Sequence, residues 1–104
     1  MNSESNGQTE FKVVMVGTVK PDLERFHEEL MKQGKGEVFL QVLRNLNDRL
    51  RKDPRGFGER LYRLPALKLV VYQAIMIPLV VTYGVHDDLP IVFVNVAKLL
   101  SNTT

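Results

Sequence analysis

Seven basic side chains fall between positions 44 and 63: Arg44, Arg49, Arg51, Lys52, Arg55, Arg60 and Arg63. Only Asp48, Asp53 and Glu59 oppose them, and Lys68 follows shortly after. Arg44 and Arg51 are seven residues apart, so a helix would place them on one face, while Arg55 and Arg60 flank Gly56-Phe57-Gly58. Guanidinium groups donate paired hydrogen bonds to anionic oxygens, so a convergent set of this kind can neutralise phosphates. Arg44, Arg51, Arg55, Arg60, Arg63 and Lys68 are therefore the candidate nucleic-acid-binding residues. The plainer alternative is a solvated helix face on which Asp48 pairs with Arg44 or Arg51.

Other chemistry is sparse. His86 precedes Asp87 and Asp88, an arrangement that could form an acid–base pair or hold a metal weakly, although loops between strands collect such residues anyway. His27 lies in a charged stretch and reads as a surface residue. Tyr62, Tyr72 and Tyr83 read as core or sheet-face residues with a hydrated hydroxyl. Gly34-Lys35-Gly36 and Gly56-Phe57-Gly58 lack the strand and third glycine of a dinucleotide fingerprint and the Lys-Ser/Thr pair of a P-loop, so they read as turn formers. Ser101 and Thr103 lie in the C-terminal tail without a partner to activate them. The chain has no cysteine and two histidines, which excludes disulfides, thiolate metal sites and cysteine nucleophiles; no metal and no cofactor are expected.

The elements that must position these residues follow from patterning. With 104 residues, 44% hydrophobic and 25% charged, the chain has room for one domain, expected over residues 11–100 between a disordered N-terminal tail (1–10) and a short C-terminal one (101–104). A net charge of +2 permits an anionic partner without demanding one. Residues 11–17, FKVVMVG, read as a strand ended by glycine. Thr18 and Pro21 mark the start of a first helix carrying Leu23, Phe26, Leu30 and Met31 on one face. Gly34-Lys35-Gly36 breaks it. A second helix starts near Glu37, with Phe39, Val42, Leu43, Leu46 and Leu50 at helical spacing, and stops before Pro54.

A hinge-like Pro54–Gly58 then leads into strands. Residues 61–64 and 67–75 form one interrupted strand or two short ones bent at Pro65; residues 79–85 and 91–96 form two more. The turn near Met76–Pro78 lacks Gly, Asn and Asp and is the least defined boundary. Residues 69–85 run uncharged for 17 positions, but Pro78 and the density of Val, Ile and Thr favour two buried strands over a membrane span. No membrane partner and a cytoplasmic setting are expected. The order β-α-α-β-β-β predicts an α+β fold: a two-helix hairpin packed on a small, mostly antiparallel sheet.

With that order, residues 11–100 resemble the RelE/ParE-like toxin superfamily of bacterial toxin–antitoxin systems. The resemblance rests on element order and on GERLYRL (58–64) followed by LVVTYGVHDDLPIVFVNVAKL (79–99). A basic-flanked tyrosine opens the sheet, a V-x-Y-x-V-like strand leads through an acidic turn, and a Val-rich last strand ends near a basic residue. The family includes ribosome-dependent mRNA endonucleases and gyrase poisons, both held by an antitoxin. The resemblance thus implies a toxin-like protein with an antitoxin partner, and possible contact with ribosome or mRNA. By position, Arg63 and Lys98 match family basic residues and are the candidate catalytic pair. The chain departs from the pattern in lacking a strand arginine before Tyr83, where Leu79, Val80 and Val81 stand, and in having Leu99 where a second basic residue often follows. The alternative implied by the uncharged strands is a non-catalytic interaction module of the same fold that binds a protein segment or forms a homodimer.

Overall fold

The computed structural model describes residues 10–100, so the expected tails, Glu10 apart, lie outside the described residues. Strand β1 (Lys12–Met15) leads into α1 (Val19–Lys32), α2 (Gly36–Lys52) and a single helical turn, α3 (Pro54–Phe57). Four strands follow: β2 (Glu59–Leu64), β3 (Leu69–Met76), β4 (Leu79–His86) and β5 (Ile91–Leu99). The sheet order is β1-β5-β4-β3-β2, with β1 parallel to β5 and every other pair antiparallel. The α+β class is as the patterning predicts, and the sheet is mixed with five strands.

Both long helices pack on one side of the sheet because their apolar residues recur every three or four positions. Val19, Leu23 and Leu30 of α1 and Phe39, Leu46 and Leu50 of α2 are buried, as are Leu79, Val81, Tyr83, Val85, Val92, Val94 and Ala97 of the sheet. Burying a side chain of this size contributes about 1.5–3 kcal/mol, so this two-layer contact dominates the stability of the fold. Thr18 sits at the helix start as expected, but its hydroxyl donates to Asp22 Oδ2 (2.8 Å) instead of capping a backbone amide. That bond, followed by the Arg25 guanidinium, holds the Asp22 carboxyl below its ordinary value. Gly34 takes φ 76°, the left-handed conformation that ends α1 without a Cβ penalty.

One local expectation needs correction, and two open ones are settled. Pro54–Gly58 is not a hinge: Asp53 accepts a bond from the Gly56 amide and caps α3, which begins at Pro54 where a missing N–H costs nothing. The segment after it is two strands, separated by a 3₁₀ turn at Pro65–Leu67 and a left-handed Lys68 (φ 55°). The β3–β4 turn, which lacks Gly, Asn and Asp, contains a cis Ile77–Pro78 peptide.

Gly58 is required by close approach. A Cβ there would stand 2.5 Å from Tyr83 Oη and 2.8 Å from the Gln73 carbonyl oxygen. The bare backbone lets α3 settle over the sheet, where Tyr83 donates to the Pro54 carbonyl at 2.7 Å. Phe57, Tyr83 and Tyr72 stack in sequence, with centroids 6.2 and 5.6 Å apart, and Arg49 lies 4.8 Å over Phe57.

Candidate functional site

The register fixes which side of the sheet each strand residue faces. Val70, Tyr72, Ala74 and Met76 of β3 oppose Val85, Tyr83, Val81 and Leu79 of β4 and face the helices. Leu69, Val71, Gln73 and Ile75, with their β4 partners His86, Gly84, Thr82 and Val80, face the other way. Arg60 pairs with Tyr72 and Arg63 with Val70, so both guanidiniums leave β2 on the helix side. An ordinary strand would place residues three apart on opposite faces; a bulge between Arg60 and Tyr62 puts these two on the same one.

Several of the candidate cations do meet at one rim of the molecule. The rim is stitched by backbone bonds from Phe11 N to Arg51 O, from Lys12 N to Pro90 O and from Asp87 N to Lys68 O, each 2.8 Å. Arg55 donates to the His86 carbonyl at 3.0 Å and stacks on Phe11, 5.4 Å from its centroid. Arg63 grips Asp87 with two parallel bonds, Nη1 to Oδ1 at 2.8 Å and Nη2 to Oδ2. Lys68 pairs with Asp88 at 3.3 Å, and Arg51 with Glu10 at 2.5 Å. Thus the acidic turn that sequence reading set aside answers two of the candidate cations, Arg63 through Asp87 and Lys68 through Asp88. The Arg63 bond, then the Arg63 charge, holds the Asp87 carboxyl below its ordinary value, and Arg63 is correspondingly raised. Among the described residues, neither Arg55 nor Arg60 has a carboxylate partner.

His86 takes a structural position in this turn. Its Nδ1 accepts from the amides of Asp88 (3.1 Å) and Leu89 (3.0 Å), so the ring folds the loop back on itself rather than pairing with either carboxylate. Arg44 lies away from the rim, along α2, and donates to Gln41 at 3.4 Å. Asp48 pairs with neither Arg44 nor Arg51, contrary to the solvated-face expectation. His27 is half-buried, its ring 6.2 Å from that of Phe39. Tyr72 and Tyr83 are core residues, while Tyr62 is exposed.

The candidate catalytic pair does not assemble. Lys98 opposes Val80 near the start of β4, on the face away from the helices, whereas Arg63 lies in the row of Val70 and Val85 on the helix side. The two rows are five residue steps apart along β4, about 17 Å at strand rise. Around Lys98 the neighbouring open-face residues are Val80, Val96, Ile75 and, on the diagonal, Thr82, so a single hydroxyl and no second cation stands near it.

Sequence reading missed one feature with functional weight, the exposure of β2. All six of its residues are exposed, and it is the terminal strand of the sheet, so its outer backbone groups have no strand partner among the described residues. No helix is long and apolar enough to cross a membrane among the described residues. Comparison with protein-family models, with curated proteins and with solved structures returned no match.

Proposed function

We propose that this chain is the toxin-like member of a bacterial toxin–antitoxin pair, a cytoplasmic protein of RelE/ParE-like fold that works by binding rather than by cutting RNA. The observation that carries the reading is edge strand β2. It offers a free row of backbone donors and acceptors, with Arg60 and Arg63 on its helix side and Tyr62 and Leu64 on its open side. An extended segment can add to such an edge through main-chain bonds, its alternate side chains supplying specificity. The complementary segment is acidic on one side and apolar on the other, which is the chemistry expected of a small acidic antitoxin.

The separation of Arg63 from Lys98 argues against the endonuclease variant of this reading. Stabilising a phosphoryl transition state needs several donors aimed at one group of oxygens, and each missing donor costs about 2.7–4 kcal/mol. A second reading, contact with ribosome or mRNA, is favoured by one observation: Arg55 is exposed at the rim and has a spare guanidinium edge.

The test is expression of the chain alone and together with the product of the adjacent reading frame. Growth arrest by the chain, relieved by a small acidic neighbour that co-purifies with it, supports the proposal. An Arg60→Glu substitution is expected to weaken that complex at least tenfold, while Arg44→Glu, away from the edge, leaves it unchanged. Unimpaired growth and no complex would overturn it.

A further inference from the structure

One whole side of the sheet carries no helix among the described residues, and its composition is that of an interface. Side chains in cross-strand register there form rows running across the strands. One row is Val14, Phe93, Gly84, Val71 and Tyr62, apolar through all five strands. The next contains Ile91, Leu69 and Leu64, and Ile75 and Val80 lie further along. Gly84 sits beneath the Leu69 side chain, whose Cδ1 is 3.2 Å from where a Cβ would stand, and the polar pair Gln73–Thr82 separates this apolar row from Ile75 and Val80. Ile75 is 62% exposed and Tyr62 52%, Val14, Phe93, Leu69, Ile91 and Val80 are half-buried, and Val71 in the middle of the row is covered by its neighbours at 3%. The charges that this face carries, Lys12, Lys98 and Glu59, all stand at its perimeter. Apolar surface of this extent on so small a domain marks a contact site.

We infer that this face binds a second copy of the chain, giving a two-fold dimer in which two sheets pack face to face. Two arguments select that occupant. The first is breadth. Five strands at about 4.8 Å spacing make a face about 20 Å across, whereas a single partner helix is about 10–12 Å wide and would cover half of it. A second sheet covers it all, and two such faces together bury on the order of 1,000 Å², the lower bound for a specific association.

The second argument is charge. Lys12 and Lys98 belong to strands β1 and β5 on one flank of the face, and Glu59 to β2 on the other. A two-fold axis parallel to the strands through β4 lays β1 over the copy's β2 and β5 over its β3. That operation brings each Glu59 toward the cationic flank of the other copy, where Lys98 is nearest, and it does so twice. An isologous contact needs this kind of self-complementarity. The inference does not rest on the proposed toxin role: it shares the Tyr62 and Leu64 side chains of β2 with that reading but uses neither the strand's outer backbone edge nor the rim.

Sedimentation of the full chain across a micromolar concentration range tests it. The expected result is a reversible monomer–dimer equilibrium. Phe93→Lys, at the centre of the apolar row, abolishes the dimer while circular dichroism reports an unchanged fold. Because that variant could fail to fold, a charge-reversal cycle gives a second readout: Glu59→Lys and Lys98→Glu each weaken association about tenfold, and the two together restore most of it. A chain that stays monomeric throughout the range overturns the inference. So does a dimer indifferent to both Phe93→Lys and the charge cycle, which would place the contact elsewhere. Dimerisation seen only after deletion of residues 1–9 would also overturn it, making the chain's own N-terminal segment the occupant.

Discussion

The Arg63 guanidinium and the Asp87 carboxylate form a two-pronged ion pair that ties edge strand β2 to the turn between β4 and β5, 24 residues further along the chain. With Lys68 on Asp88, it means that the most convergent cations of the molecule are already answered by anions. The rim is therefore largely a self-neutralised clasp: Arg51, Arg63 and Lys68 are tied to carboxylates, which leaves Arg55 without the convergent neighbours that a phosphate cradle needs.

The clasp has a definite pH signature. Because the Asp87 carboxyl is held below its ordinary value of 3.8, the pair contributes to stability above the ordinary carboxylate range. That contribution is lost as the pH falls through the lowered, folded-state value. In a carboxyl-carbon NMR titration, the Asp87 midpoint should lie below 3.8 and return toward it in an Arg63→Gln variant.

Releasing the clasp should create the polyanion site that the intact protein lacks. Asp87→Asn combined with Asp88→Asn frees Arg63 and Lys68, so affinity for single-stranded RNA at low salt should rise about tenfold and become more salt-dependent. Arg55→Ala should lower whatever RNA affinity the unmodified chain has. Fluorescence anisotropy at two salt concentrations measures both effects.

Beneath the rim, the seat of α3 depends on one hydroxyl and one missing side chain. Tyr83→Phe removes the donor to the buried Pro54 carbonyl and should cost about 1–3 kcal/mol. Gly58→Ala drives a Cβ into the Gln73 backbone and should also cost about 1–3 kcal/mol. Urea unfolding gives both values. Burial pushes the Tyr83 hydroxyl far above the ordinary tyrosine value of 10, so Tyr83 should not ionise in alkaline solution until the fold is lost, as ultraviolet difference spectra can report.

The helices and the two central strands were legible because their signals are local: apolar spacing at Leu23, Leu30, Phe39, Leu46 and Leu50, and dense β-branched runs around Val81 and Val94. What was not legible depends on long-range geometry. Pro54-Arg-Gly-Phe57 reads as a hinge until Asp53 is seen to cap it. Alternation alone would send Arg60 and Arg63 to opposite faces; the bulge that brings them to one face leaves no mark in the sequence. The pairing of Arg63 with Asp87 depends on how β2 folds back along β3, so the acidic turn could be found but its role could not. The separation of Arg63 from Lys98 likewise appears only once the strand order is known.

That separation is the centre of this account, and purified protein incubated with translating ribosomes tests it most directly. Sequencing of message ends should show no cleavage above a no-protein control, even when the same preparation arrests growth in cells or binds its partner. Ribosome-dependent cleavage that disappears in both Arg63→Ala and Lys98→Ala variants would contradict it, because two residues on opposite faces of the sheet would then be serving one phosphate.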